Sequence, residues 1–254
     1  MKANFSQRDP HDYQLIVLTA LLCIGLWALQ FPVTLIQIAT IASVTLLMQW
    51  FGDRCHGYAS CNWKSALITA LSLCLLLRAN ALWPLVLAAS VAIGTKFLFR
   101  IQGRHLFNPA NIGIVASSLL LDGVWVSPGQ WGSATWLVLL LACLAVLVLT
   151  RAQRWDVSLV FLVTYAAILI GRAVWLGDPF AIPLHQLQSG AVLLFTFFML
   201  SDPRTTPAAR RARCSFAMVL AVVTATLQFG LYLPQSMFYA LALMTPLRFL
   251  PIWR

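Results

Sequence analysis

Gly103-Arg104-His105-Leu106-Phe107-Asn108-Pro109-Ala110-Asn111-Ile112-Gly113 separates two apolar runs, basic on its N-terminal side and apolar beyond. Pro109 fits the first turn of a helix, where its missing N–H costs nothing. Asn108 is then a natural N-cap, and Asn111 falls on the first turn, within reach of the same bound group. A helix start presents unpaired N–H groups and the positive end of a dipole. Inside a bilayer such a polar start is tolerated only against protein, water or ligand. This stretch is the leading site candidate, and its setting between apolar runs is that of a membrane chain.

Composition agrees. The chain has 254 residues, 61% hydrophobic and 9% charged, with a mean hydropathy of +0.84. Apolar stretches of roughly 17–25 residues, the span of a bilayer core, recur along the whole length. The spacing predicts ten spans, near residues 13–31, 33–51, 64–82, 84–101, 108–121, 134–150, 157–176, 187–201, 214–231 and 235–250, with bounds good to about 2–4 residues. The first is expected to be a retained span, since no small-residue cleavage site follows it. The fifth and eighth are short and flanked by proline, as broken helices around a binding site are.

Seventeen Lys and Arg against seven Asp and no Glu give a net charge of +10. These cations lie in short loops between spans, so they report orientation and not nucleic-acid binding. With loops and tails taken alternately, only Arg78 and Arg172 fall on one side and the other fifteen basic residues fall on the opposite side. Ten spans with both termini cytoplasmic, in the inner (plasma) membrane, follow. Carboxylates for an ion pathway are few.

Lys64-Ser65-Ala66 opens the third span and Gln188-Ser189-Gly190-Ala191 opens the eighth, five spans later. Both runs end in a polar break, Arg78-Ala79-Asn80 and Ser201-Asp202-Pro203. A five-span unit repeated head to tail enters the membrane from opposite sides. The expected architecture is a single all-α membrane domain over 1–254, with repeat one near 13–121 and repeat two near 134–250.

Further groups of residues call for a reading, two of them with alternatives. Lys96 and Arg100, four residues apart, share a helix face where one anion could meet both, or they snorkel to lipid phosphate. Clustered with Arg104 and Asn108 they read as a phosphate or carbonyl site. Asp202, before Pro203, is either a structural turn or part of a polar loop with Thr205 that packs back toward Asn108. Cys55, His56 and Cys61 give three irregularly spaced ligands where a tetrahedral metal needs about four. Trp125 and Trp131, in a turn-rich loop, are read as headgroup anchors. Asn108-Pro109-Ala110 is similar to the aquaporin NPA motif, but that fold uses two copies and this chain has one.

On these residues the chain resembles the RnfD family of the Rnf electron-transport complex, which includes NqrB of the sodium-translocating NADH:quinone reductase. The matching pieces are Lys64–Thr69, Arg154-Trp155, Phe107–Gly113, and Leu187–Ala191 running into Phe197–Pro203. In its short form the chain is similar to membrane proteins of enediyne natural-product clusters. The resemblance implies ten helices in two inverted five-helix repeats and flavin chemistry in a membrane electron-transfer chain. Family members carry FMN on a Thr in a Ser-Gly-Ala-Thr-type motif between spans five and six.

Here Ser189-Gly190-Ala191-Val192 has Val in place of that Thr and lies in span eight, and Gly132-Ser133-Ala134-Thr135 has scrambled flanks. Covalent FMN is therefore not expected. The family's second flavin, riboflavin-like and non-covalent at the cytoplasmic side, matches Asn108 and Asn111. Their amides can both donate and accept along an isoalloxazine edge, with Phe107 covering a ring face.

The implied function is an electron-transfer subunit of a membrane oxidoreductase, working with redox partner proteins or quinone in the lipid bilayer and without full catalysis alone. The rivals are a small-solute transporter or channel of urea-transporter-like fold and a scaffold for redox partners.

Overall fold

The structure is a computed structural model and describes residues 10–58, 60–101, 103–127, 131, 155–203 and 205–249. It is mostly helical. A helix or a helix pair lies over each expected span except the sixth, residues 134–150, which is outside the described residues together with Gly132–Thr135.

α1 (Pro10–Trp27) leads to α2 (Leu35–Cys55), whose start is fixed by a capping box. The Thr34 hydroxyl accepts the Gln37 N–H at 3.2 Å and the Gln37 side chain accepts the Thr34 N–H at 3.0 Å. α3 (Trp63–Leu76) is shorter than expected. Its apolar run continues, but the chain leaves the helix and extends as β1 (Leu77–Ala79), which pairs antiparallel with β4 (Val124–Val126). The pairing meets backbone groups that a buried extended segment would otherwise leave open.

α4 (Leu82–Leu98) ends in a small hairpin of β2 (Arg100–Ile101) and β3 (Arg104–His105), turned by Gly103 at φ 77°. Arg100 therefore lies beyond the helix and does not share a helix face with Lys96. α5 (Pro109–Leu120) starts where expected, and the Asn108 side chain accepts the Asn111 N–H at 3.1 Å. α5 lies very close to α4. A Cβ on Gly113 would come within 2.6 Å of the Ala88 carbonyl oxygen and 2.9 Å of the Ala92 Cβ. Small residues on both faces let the backbones approach.

α6 (Trp155–Leu176) begins with Asp156, held by Arg213 at 2.6 Å at the start of α9 (Arg210–Gly230). Between them the expected eighth span is broken. α7 (Ala181–Leu187) and α8 (Gly190–Leu194, continued by a π turn at Phe195–Met199) meet at a bend of 44°. In the π turn the Leu200 N–H reaches back to the Phe195 carbonyl at 2.9 Å. The Thr196 carbonyl, an α-helix's acceptor for that N–H, takes the Ser158 hydroxyl of α6 at 2.8 Å instead. α10 (Ser236–Leu247) closes the described chain.

The two halves pack in the same order: α2 on α4 and α4 on α5, then α6 on α9 and α9 on α10, with α5 against α10. α2, α6 and α9 are each long and apolar enough to cross a membrane, and the bent α7–α8 pair is a fourth candidate. The protein is a multi-pass membrane protein. Trp131 corrects an expectation. It is 1% exposed, edge-on to Phe31 at 4.9 Å between ring centres, and lies against Gly190, so it is a core residue and not a headgroup anchor. Trp125 is exposed.

Candidate functional site

The ends of α2 and α4, the start of α3 and the β2–β3 hairpin enclose a polar cavity of about 1010 Å³, lined by Gln49, Asp53, Cys61, Lys96, Arg100 and His105 among others, with Pro203 on its rim. Lys96 is 7% exposed, yet its ammonium donates to the Gln49 amide oxygen and, at 3.1 Å, to the Ser65 hydroxyl. The Gln49 NH₂ donates to both oxygens of Asp53 at 3.0 and 2.9 Å. Asp53 also accepts the Asn62 N–H at 3.0 Å. One amide thus relays between a buried cation and a buried anion, and this orientation is the one that satisfies both.

Sequence reasoning missed Gln49 and Asp53. They sit one turn apart on α2 and gain meaning only from Lys96, 47 residues further on. Asp53 is thus a carboxylate at the end of a span, beside the cavity. On the cavity wall, burial and then the Asp53 carboxylate push the Cys61 thiol above its ordinary pKa. Arg100 donates to the Tyr58 hydroxyl and lies over its ring at 5.5 Å.

The other predicted residues lie elsewhere. Phe107 stands edge-on to Phe99 at 6.1 Å, and its carbonyl contacts His105 Nδ1 at 2.8 Å. Asn108 and Asn111 are 8% and 1% exposed. Asn111 Nδ2 donates to the Phe238 carbonyl of α10 at 3.1 Å, which leaves Asn111 Oδ1 buried with no partner. Neither asparagine lines the cavity.

Thr205 is fully buried, and both its N–H and its hydroxyl donate to the Asp202 carbonyl at 3.1 Å. Thr206 adds a third bond to that oxygen. The Asp202–Thr206 break is therefore a closed turn that brings Pro203 to the cavity. The structure gathers Lys96 and Arg100 in one place and Asn108 and Asn111 in another, joined through the hairpin and Phe107.

The profile of the NQR2, RnfD, RnfE family matches residues 117–249. RnfD subunits of ion-translocating oxidoreductase complexes are similar over the same share of the chain. That of Citrobacter koseri is 31% identical over 130 residues, 51% of this chain and 35% of its own length. Those of Escherichia coli O1:K1 and Shigella flexneri serotype 5b are 34% and 33% identical over 132 residues, 51% of this chain and 34% of theirs. The matched region spans about a third of these curated relatives. The family match takes in α6 to α10 and the Pro203 rim, and starts beyond Asn111. With more than half of its residues matched, the chain belongs to the NQR2, RnfD, RnfE family.

Proposed function

We propose that this protein is the membrane-embedded electron-transfer subunit of an ion-translocating oxidoreductase complex, of the RnfD type, holding a flavin without a covalent bond. Its redox partners would be other proteins of the complex or quinone. The reading carries the ten-span, two-repeat, single-domain architecture, with both termini on the cytoplasmic side of the plasma membrane. The like packing order of the two halves supports the repeat. Length supports the short third span, since the 14 residues of α3 rise about 21 Å and β1 adds about 10 Å, together near the roughly 30 Å hydrocarbon core.

The observation that carries the flavin is Asn111 Oδ1, a buried acceptor with no partner beside a capped helix start. A flavin imide N–H is a donor and fits it. Asn108 and Asn111 would orient the ring edge, and the Phe99–Phe107 pair offers an apolar flank. Lys96 and Arg100, in the neighbouring polar cavity, suit a phosphate if the flavin is FMN. When bound, flavin supplies electron transfer, and the protein tunes it by hydrogen bonds.

The test is an absorption spectrum of the detergent-purified protein from about 350 to 500 nm, where oxidised flavins absorb, before and after acid precipitation. Flavin bands that leave with the supernatant, and that Asn111→Leu removes, are expected. Colour retained in the pellet would mean covalent flavin. A colourless protein that takes up no added riboflavin or FMN would sink this reading and favour a solute transporter.

A further inference from the structure

Arg78 stands at the opposite end of the molecule from the cavity. It is 4% exposed, on β1 immediately after α3. Its Nη1 donates to the carbonyls of Cys74, at 2.8 Å, and Leu77, at the negative end of the α3 dipole. Those bonds fix the guanidinium plane. Its Nε and Nη2 are buried and have no partner. These two nitrogens form one edge of the guanidinium fork, the edge that takes two oxygens of a carboxylate or phosphate side by side. No carboxylate among the described residues pairs with it.

Two more unpartnered groups are linked to Arg78 by packing. The guanidinium carbon is 5.6 Å from the centre of the Phe31 ring, and Phe31 packs edge-on against Trp131. Trp131 in turn covers Gly190, the neighbour of Ser189. Trp131 Nε1 and Ser189 Oγ are both buried and unpartnered. All four open atoms can donate a hydrogen bond. The open fork edge of this buried cation lacks an acceptor that bears negative charge, and Trp131 Nε1 and Ser189 Oγ are further open donors linked to it through Phe31 and Gly190. An ionised residue inside a membrane protein needs a partner, and one water accepts at most about two bonds.

We propose that Arg78 anchors a buried oxyanion site, with Ser189 and Trp131 as supporting donors, for a phosphate- or carboxylate-bearing ligand. The site stands apart from the flavin reading and does not depend on it.

The experiment uses full-length protein in phosphatidylcholine nanodiscs and follows thermal unfolding. Sodium phosphate and sodium succinate are titrated against sodium chloride at matched ionic strength, and a parallel set of discs contains phosphatidylglycerol. A saturable rise in Tm with a soluble anion assigns a free oxyanion, and a rise confined to phosphatidylglycerol discs assigns a lipid headgroup. Either rise should vanish in Arg78→Gln and in Arg78→Lys, which keeps the charge but loses the fork. Ser189→Ala, a milder change, should weaken binding by about five- to tenfold. No rise in wild type from either source, or an equal rise in the Arg78 variants, would overturn the proposal.

Discussion

At the scale of single residues, the cavity's chemistry turns on Asp53. The Cys61 thiol has its pKa raised, by burial first and by the Asp53 carboxylate next. A raised thiol pKa means less thiolate at a given pH, so alkylation is slow near pH 8 and accelerates as pH rises through the shifted value. With Cys61 as the sole cysteine, Asp53→Asn should move the rate–pH curve to lower pH and quicken labelling at pH 8 by severalfold. An unchanged curve would show that the carboxylate does not act on the thiol. Asn108 and its cap were legible in the sequence because capping is local, a matter of three residues. Gln49 and Asp53 were not, because an acidic residue at the end of an apolar helix reads as surface until the lysine that neutralises it is seen. The Thr205 hydroxyl, by contrast, closes its own turn on the Asp202 carbonyl.

Among the elements, helix positions were legible from apolar run length and the breaks between runs. The strand that completes α3 was not. Leu75-Leu76-Leu77 is equally apolar as helix or strand, and only pairing with Val124–Val126 decides it. The α4–α5 contact makes a sharper test of the packing. Gly113→Val should destabilise the protein by about 1–3 kcal/mol, because a side chain there meets backbone and not a flexible neighbour. Gly94→Ala, with nothing within 4 Å of the added Cβ, should leave Tm unchanged or slightly raised. Equal losses in the two variants, by thermal melt in detergent, would contradict the close approach of α5 to α4.

For the whole molecule, the uneven split of basic residues made the ten-span expectation readable, because one missing span would mix the two sides. The proposed topology puts Ser60, between α2 and α3, and Tyr232, between α9 and α10, on opposite faces. In a background with all six cysteines replaced, Ser60→Cys should react with a membrane-impermeant maleimide only in inside-out vesicles. Tyr232→Cys should react on intact cells. Labelling of both from one side would break the topology. The π turn at Phe195–Met199 matters at this scale too. It admits one residue more than an α-helical turn would, and a residue of α-helix turns through about 100°. The chain leaves the helix at Met199 one residue out of α-helical phase, and Pro203 beyond it lines a cavity built otherwise by the other half of the chain. Within the second half, the Ser158 hydroxyl holds that surplus residue in place.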